Sequence, residues 1–273
     1  MKTINNSLEI KKKIREYKYT FISLKEDEPQ RINIKSSELF ENETRNNMVK
    51  WLSFLCDTLN FNIQTLLRSV NIFDKFISVS DLFENDDLTQ EKMNLITVAC
   101  LSLGTKLEEI NCNYVKFFTD KVLNLPDCQI FSVKDLTNME MLILKKLSFK
   151  TLYTTSYDFL LYYLDIIRNF YNPTNKVFDD IKKYSIYLMK QNINTNLFLS
   201  MNQSEFALLC LNQSLIQVIG QNNILMQIHN ILINDDLSRD KRKDEINENN
   251  SYNERNFKFN RNSEVNIFSI SSF

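Results

Sequence analysis

LITVACLSLGTKLEEI runs from Leu95 to Ile110 and, as a helix, leaves almost no polar face. Leu95, Ile96, Val98, Ala99, Cys100, Leu101 and Leu103 surround the axis, whereas a surface helix carries only an apolar stripe. The segment is also too short to span a bilayer, which takes ~20 apolar residues. It is therefore read as a helix buried by neighbours on several sides. Within one turn the chemistry then changes to Lys106, Glu108 and Glu109. A buried helix ending in charge delivers that charge to the rim of a rigid core, which is a good place for a binding site. Glu108 and Glu109 are expected to form a solvated helix end, because adjacent helical residues point apart and cannot share acid–base work.

Composition narrows the class. A hydrophobic fraction of 43% and a charged fraction of 25% in 273 residues fit one large globular domain or two ordinary ones. The formal net charge of −1 gives no whole-chain field for nucleic acid or an anionic membrane surface. With only 2 Gly and 3 Pro, hairpin turns and glycine-rich phosphate loops are scarcely available, so an all-α chain with polar connections is expected. The five cysteines form no C-x-x-C pair, and Cys56, Cys100 and Cys210 lie in apolar runs as small buried hydrophobes. No disulfide framework, metal site or cofactor is expected. The opening MKTINNSLEIKKKIREY has no apolar core for a signal peptide, which fits an intracellular chain in the nucleus or cytoplasm.

Around the central segment the apolar spacing places further helices. Ser7 can cap an N-terminal helix bearing Leu8, Ile10, Ile14 and Tyr17, which ends before Lys25–Glu28 and Pro29. Residues 30–41 are polar and read as extended, which closes a lead-in of residues 1–41. Residues 42–150 then form a first bundle. Its first helix covers Glu43 to Thr58 with Met48, Trp51, Leu52, Leu55 and Leu59 as its stripe. Asn62 starts the next, with Leu66, Val70, Phe73 and Ile77; DLFENDD is a connector and Thr89 caps the central helix. Cys112 to Leu125 reads as a shorter helix stopped by Pro126. Ser132 with Asp135 makes a capping box for a helix through Leu147 whose core positions are Leu136, Met139, Ile143 and Leu147.

Residues 151–234 repeat the plan. Thr155 with Asp158 starts a helix that Asn172–Pro173 breaks, and Lys176 to Met189 follows with Val177, Ile181, Tyr184 and Leu188 as its stripe. EFALLCLNQSLIQVIG then gives a second nearly all-apolar helix ending at Gly220, an echo of the central segment without its charged end. A short helix from Ile224 to Ile233 holds His229, the only histidine, which reads as a partly buried helix residue rather than a ligand. Residues 235–273 are polar and charged, cannot bury enough to offset chain entropy, and are expected to be disordered. Arg239, Lys241, Arg242 and Lys243 alternate with Asp240, Asp244 and Glu245, a pattern better suited to a solvated tail than to an import patch.

The residues between Glu43 and Lys150 resemble a cyclin. The signatures come in order: Arg45 and Trp51 in TRNNMVKWL, Asn71 and Asp74 in SVNIFDKFIS, Lys106 with Glu108 and Glu109 in ACLSLGTKLEEI, and Glu140, Leu144 and Phe149 in MEMLILKKLSF. The first box is about as similar to divergent G- or I-type cyclins as to mitotic A/B-type ones. The resemblance implies a cyclin fold of two tandem bundles of about five helices, the second one truncated here. It further implies a non-catalytic subunit that binds and allosterically activates a cyclin-dependent protein kinase. Lys106 matches the lysine that bonds kinase main-chain carbonyls, and Glu140 matches the acid that orients it and accepts from the kinase backbone. Leu103, Leu107, Leu144 and Phe149 would supply apolar contact. Ile10, Ile14 and Tyr17 resemble the cyclin segment that packs beside the kinase.

Arg45 and Asp74 match an internal salt bridge between the first two helices. Cyclins that recruit substrates carry an apolar patch on the first helix; here Met48 and Trp51 remain, but Thr44, Asn47 and Phe54 depart from it. The alternative from another class is a cyclin-box adaptor for a non-kinase partner, as in the general transcription factor of this fold. That version needs an N-terminal zinc ribbon and a basic face, against which the absence of C-x-x-C and the net charge of −1 both count. No catalytic constellation is present. The partner expected is a kinase in a heterodimer, with no direct nucleic acid, membrane or small-molecule substrate.

Overall fold

A computed structural model describes residues 2–29, 43–79, 89–109, 118–125, 128 and 131–220. These all fall in one compact unit, Met1–His229; the other unit, Asn230–Phe273, lies outside the described residues, as do the expected helix at 224–233, His229 and the charged tail. Among the described residues every long regular element is an α-helix, in the all-α arrangement expected. None is long and apolar enough to cross a membrane.

Helix α1, Lys2–Glu26, precedes the bundles. Ser7 lies inside it rather than at its cap, because the helix begins five residues earlier than the polar pattern indicates. The first bundle holds α2 (Glu43–Thr58), α3 (Ile63–Val79), α4 (Gln90–Glu108) and α5 (Val133–Lys146). Between α4 and α5, the predicted helix at 112–125 is described only from Phe118 on, where one π-helical turn spans Phe118–Val122. The second bundle holds α6 (Ser156–Tyr171), α7 (Asn175–Asn192), the short α8 (Asn196–Ser200) and α9 (Gln203–Ile219).

Local chemistry sets the helix ends. Thr89 accepts from the Lys92 N–H at 3.2 Å, and Asn62 Oδ1 accepts from the Thr65 N–H at 2.9 Å. Ser132 with Asp135, and Thr155 with Asp158, each close both halves of a capping box. The two hydrogen bonds that Ser132 gives Asp135, from its hydroxyl and its backbone N–H, hold the Asp135 carboxyl below its ordinary pKa. Left-handed Asn172 ends α6 before Pro173, and left-handed Gly220 ends α9.

Helix α4 is central, as its sequence requires. Every residue from Ile96 to Thr105 is buried, with α2, α3 and α5 packed around it. The two threonine hydroxyls in this run bond back along the helix, Thr97 to the Met93 carbonyl and Thr105 to the Leu101 carbonyl, both at 2.8 Å, and Ser102 finds its acceptor on α5, so their burial leaves none of these donors unmet. Helix α3 is buried just as completely from Thr65 to Asp74. The apolar stripe Leu66, Val70, Phe73, Ile77 accounts for only one of its faces. The rest of its circumference carries Thr65, Arg68, Ser69, Asn71 and Asp74 and is covered from several sides: Thr65 and Ser69 lie against Gly104 on α4, Asp74 meets Arg45 on α2, and α3 also touches α6 of the second bundle. Helices α3 and α4 cross at Gly104: a Cβ there would strike Ser69 Oγ and come within 3.1 Å of the Thr65 carbonyl and 3.2 Å of the Ser69 nitrogen.

The echo of α4 in the second bundle is weaker in space than in sequence. In α9 only one side is buried, through Phe206, Ala207, Cys210, Leu211, Ser214 and Leu215, while Ile216 is exposed. Among the described elements α9 has α6 and α7 as its main neighbours, fewer than α4 has. Cys56, Cys100, Cys128 and Cys210 are free and buried, and burial pushes the Cys56 and Cys210 thiols up to about 12.

Arg45 and Asp74 form the expected bridge between α2 and α3, with side chains 1% and 2% exposed. Arg45 Nε donates to Asp74 Oδ1 and Nη2 to Oδ2, each at 2.8 Å, a bidentate geometry. Nη2 also donates to the Ile193 carbonyl at 3.3 Å, and the guanidinium lies 5.8 Å from the Phe198 ring centroid on α8. The pair therefore joins both bundles.

Two stability outcomes follow. Gly104→Ala should lose about 1–3 kcal/mol in urea unfolding, because backbone on α3 must move, and this exceeds the ~1 kcal/mol that Ala gains over Gly in a helix. Arg45→Met should cost about 3–5 kcal/mol by stranding Asp74, while Arg45→Met with Asp74→Leu should recover most of it. A double variant as unstable as the single would show that packing, not charge, governs the site.

Candidate functional site

The end of α4 divides its charge among several elements. Lys106 points to α5, where Nζ donates to Glu140 Oε1 at 2.7 Å and to Oε2 at 2.6 Å. Glu140 stands on α5 beside the core positions Leu136, Met139 and Ile143, so its carboxylate is only 9% exposed, while Lys106 is 39% exposed. The Ser102 hydroxyl, one turn earlier on α4, also donates to Oε1. A buried acid thus holds an ammonium at the rim of the core, with charge-assisted bonds on both oxygens.

Glu108 and Glu109 are not a solvated helix end. Glu108 Oε1 accepts from Arg68 Nε on α3 at 2.7 Å, and Arg68 Nη1 donates to the Tyr153 carbonyl in the connection between bundles. Glu109 Oε1 accepts from Thr65 Oγ1 at 2.6 Å and from the Asn62 N–H at 3.2 Å, completing the N-terminal cap of α3. Adjacent carboxylates do point apart, but each finds a partner on α3 because the end of α4 lies against the start of that helix. Nearby, Lys75 on α3 lies 5.6 Å from the Tyr153 ring centroid, and burial lowers its pKa.

The apolar residues expected around Lys106 separate by depth. Leu103 is buried and belongs to the core, Leu144 is half-buried, and Leu107 and Phe149 are exposed, Phe149 by 64%. Sequence reading missed Met141 and Val133, both exposed on α5, and Leu152 in the connection that follows. At 100° per residue Val133, Met141 and Leu144 fall on one face of α5 beside Glu140. The helix therefore has two apolar sides, one in the core and one in solvent. Spacing could have revealed the second, but the first accounted for the capping box and the core and hid it.

Tyr17 faces the second bundle. Its hydroxyl donates to the Asp165 carboxylate on α6 and accepts from Asn169 Nδ2 at 2.8 Å, and its ring packs on Tyr162 and Phe170 at 6.0 Å between centroids. Burial, then the Asp165 bond, push its pKa up. Phe21 continues the contact on Phe159 and Tyr162, and Glu28 accepts from the Ser204 N–H at 2.6 Å at the start of α9. Helix α1 thus packs on the second bundle. Ile14 is half-buried; the Ile10 side chain lies outside the described residues. On α2, Met48 is buried while Trp51 is half-buried and Phe54 exposed, so little of Met48 is left to line a surface patch. Among the described residues no group of three or more His, Cys, Asp or Glu side chains is arranged to hold a metal ion.

Comparison with known proteins agrees with this geometry. The family described as "Cyclin, N-terminal domain" matches residues 15–152, just over half of the chain. Cyclin-D2-2 of Oryza sativa subsp. japonica is 30% identical over 141 residues, which cover 50% of this chain and 37% of that protein. Cyclin-D4-1 of Arabidopsis thaliana is 29% identical over 131 residues, covering 48% and 40%. Cyclin-O protein B of Xenopus laevis is 28% identical over 151 residues, covering 55% and 38%. The matched region thus spans about two fifths of the length of these relatives. In three dimensions the chain is similar to the X-ray structure of a viral cyclin from herpesvirus saimiri, with a TM-score of 0.60, 15% identity, and coverage of 80% of this chain and 88% of that one. Helices in the expected order, a buried central helix with a Lys–Glu pair at its end, and a family match over residues 15–152 agree: the chain belongs to the cyclin family.

Proposed function

We propose that this cyclin is a regulatory subunit that binds a cyclin-dependent protein kinase through the rim formed by the end of α4 and by α5, and does no chemistry itself. The observation that carries this reading is the Lys106–Glu140 pair, a half-exposed ammonium fixed by a buried carboxylate and bordered by exposed apolar side chains. An ammonium held in one place can donate to backbone carbonyls of a partner helix without first losing side-chain freedom. Leu107, Met141, Leu144 and Phe149 then supply apolar area around it, the arrangement of a polar anchor within a desolvated contact. Because the partner element is the kinase C-helix, docking it favours the active arrangement of the kinase Lys–Glu ion pair, and the effect is a shift of population between inactive and active kinase. The same reading puts its action in cell-cycle or related control, in the nucleus or cytoplasm.

The test is co-expression with candidate cyclin-dependent kinases, followed by co-purification and phosphorylation of a generic substrate. Lys106→Ala and Glu140→Ala should each weaken binding roughly 10- to 30-fold, the range of an interface hot spot, with far-UV circular dichroism unchanged. Equal co-purification with the double variant would remove the pair from the contact. If no kinase binds even the wild type, an adaptor role toward a non-kinase partner takes its place.

A further inference from the structure

The turn after α5 holds two consecutive residues in the left-handed region, Ser148 at φ +50° and Phe149 at φ +60°. The Phe149 N–H donates to the Leu144 carbonyl at 2.8 Å and the Ser148 N–H to the Lys145 carbonyl at 3.0 Å, the two bonds of a Schellman ending. The Lys150 N–H then donates to the Leu147 carbonyl at 3.0 Å, closing a four-residue turn with positive φ at both central positions, the type I′ pattern. Glycine and asparagine normally take such positions. They do so elsewhere in this chain: the other left-handed residues among those described are Asn60, Asn172 and Gly220.

A bulky side chain at positive φ is an outlier, and such strain persists where surrounding structure or function requires it. Burial does not explain it here. Phe149 is 64% exposed, so the fold gains little from placing its ring. What the turn does achieve is direction. It stops α5 within one residue and fixes where Phe149 leaves the last turn, beside half-buried Leu144 and one helix end away from the Lys106–Glu140 pair.

We infer that Ser148 is a positioning residue for partner binding: by adopting the left-handed conformation it ends α5 in a turn that presents Phe149 to the kinase. The inference rests on the reading of the α4–α5 rim as the kinase contact. Ser148 need not touch the partner itself. Its side chain has to be one the left-handed region admits.

Affinity for the kinase that co-purifies with the wild type, measured beside thermal unfolding, tests this. Ser148→Asn and Ser148→Gly should bind as the wild type does, because both residues accept positive φ. Ser148→Val, which resists it, should bind about tenfold more weakly. Lys150→Pro provides a second route if the valine variant folds poorly: it removes the N–H that closes the turn and drives Phe149 toward extended backbone, so it should lose affinity similarly. In a Phe149→Ala background neither change should weaken binding further, since the ring to be positioned is gone. Wild-type affinity in both Ser148→Val and Lys150→Pro, or full additivity with Phe149→Ala, would overturn the assignment. A wild type that binds no kinase overturns the underlying contact and this inference with it.

Discussion

The bidentate pair between Arg45 and Asp74 is the interaction on which the two bundles most depend together. Both side chains are essentially out of solvent, so neither charge could be tolerated alone. Their mutual bonds fix α2 against α3, and the third bond from Arg45 to the Ile193 carbonyl carries the same guanidinium across to the end of α7. Phe198 on α8 covers its other side. A single cation thereby ties the start of α2 to α3 and to the end of α7. The Asp74 charge also reaches the core: burial and then Asp74 raise the Cys100 thiol well above its ordinary value, leaving it an inert packing group.

A similar economy operates at the other end of α3. The last turn of α4 sends Lys106 to α5, Glu108 to Arg68 on the side of α3, and Glu109 to the α3 N-terminus. Through Arg68 the same cluster holds the Tyr153 carbonyl in the inter-bundle connection. The charged end of the central helix is therefore mostly structural. Two of its three ionic groups brace α3, and that bracing lets the third stand at the rim at a defined height. With Gly104 admitting α3 at close range one turn before, α3 and α4 act as one rigid unit from which α5 projects.

What remains exposed on this unit is unusual in kind. Helix α5 shows Val133, Met141 and Leu144 on the face next to Glu140, and the turn after it holds Phe149 out in a conformation aromatic residues seldom adopt. Single exposed apolar residues need no explanation; a row of them beside an ordered ammonium, ending in strained backbone, is what supports the kinase contact we propose for this face. Helix α1, by contrast, turns two of its aromatic side chains to α6, Tyr17 to Asp165 and Asn169 and Phe21 to Phe159, while Tyr19 stays exposed.

Much of this was legible in the sequence because it depends on local periodicity and end chemistry. The uninterrupted apolar run of α4, the capping boxes at Ser132 and Thr155, the stop at Asn172–Pro173 and the cap at Gly220 all follow from neighbouring residues. The motif order also singled out Arg45 with Asp74 and Lys106 with Glu140, pairs whose partners lie far apart in the chain. Hidden from the sequence were properties set by what packs against a face. Helix α3 carries Thr65, Ser69 and Asp74 at positions outside its apolar stripe, which periodicity assigns to solvent, yet α4 covers the first two and Arg45 the third. Helix α9 matches α4 in composition but is buried on one side only. Glu108 and Glu109 gained partners, Leu103 and Met48 went into the core, and Phe149 stayed out. Local pattern was enough to locate most helix ends and the main apolar stripes, though not the start of α1 or the second apolar side of α5. Which charges meet, and which apolar side chains stay exposed, came from the packing, because both depend on distances between helices that no local pattern encodes.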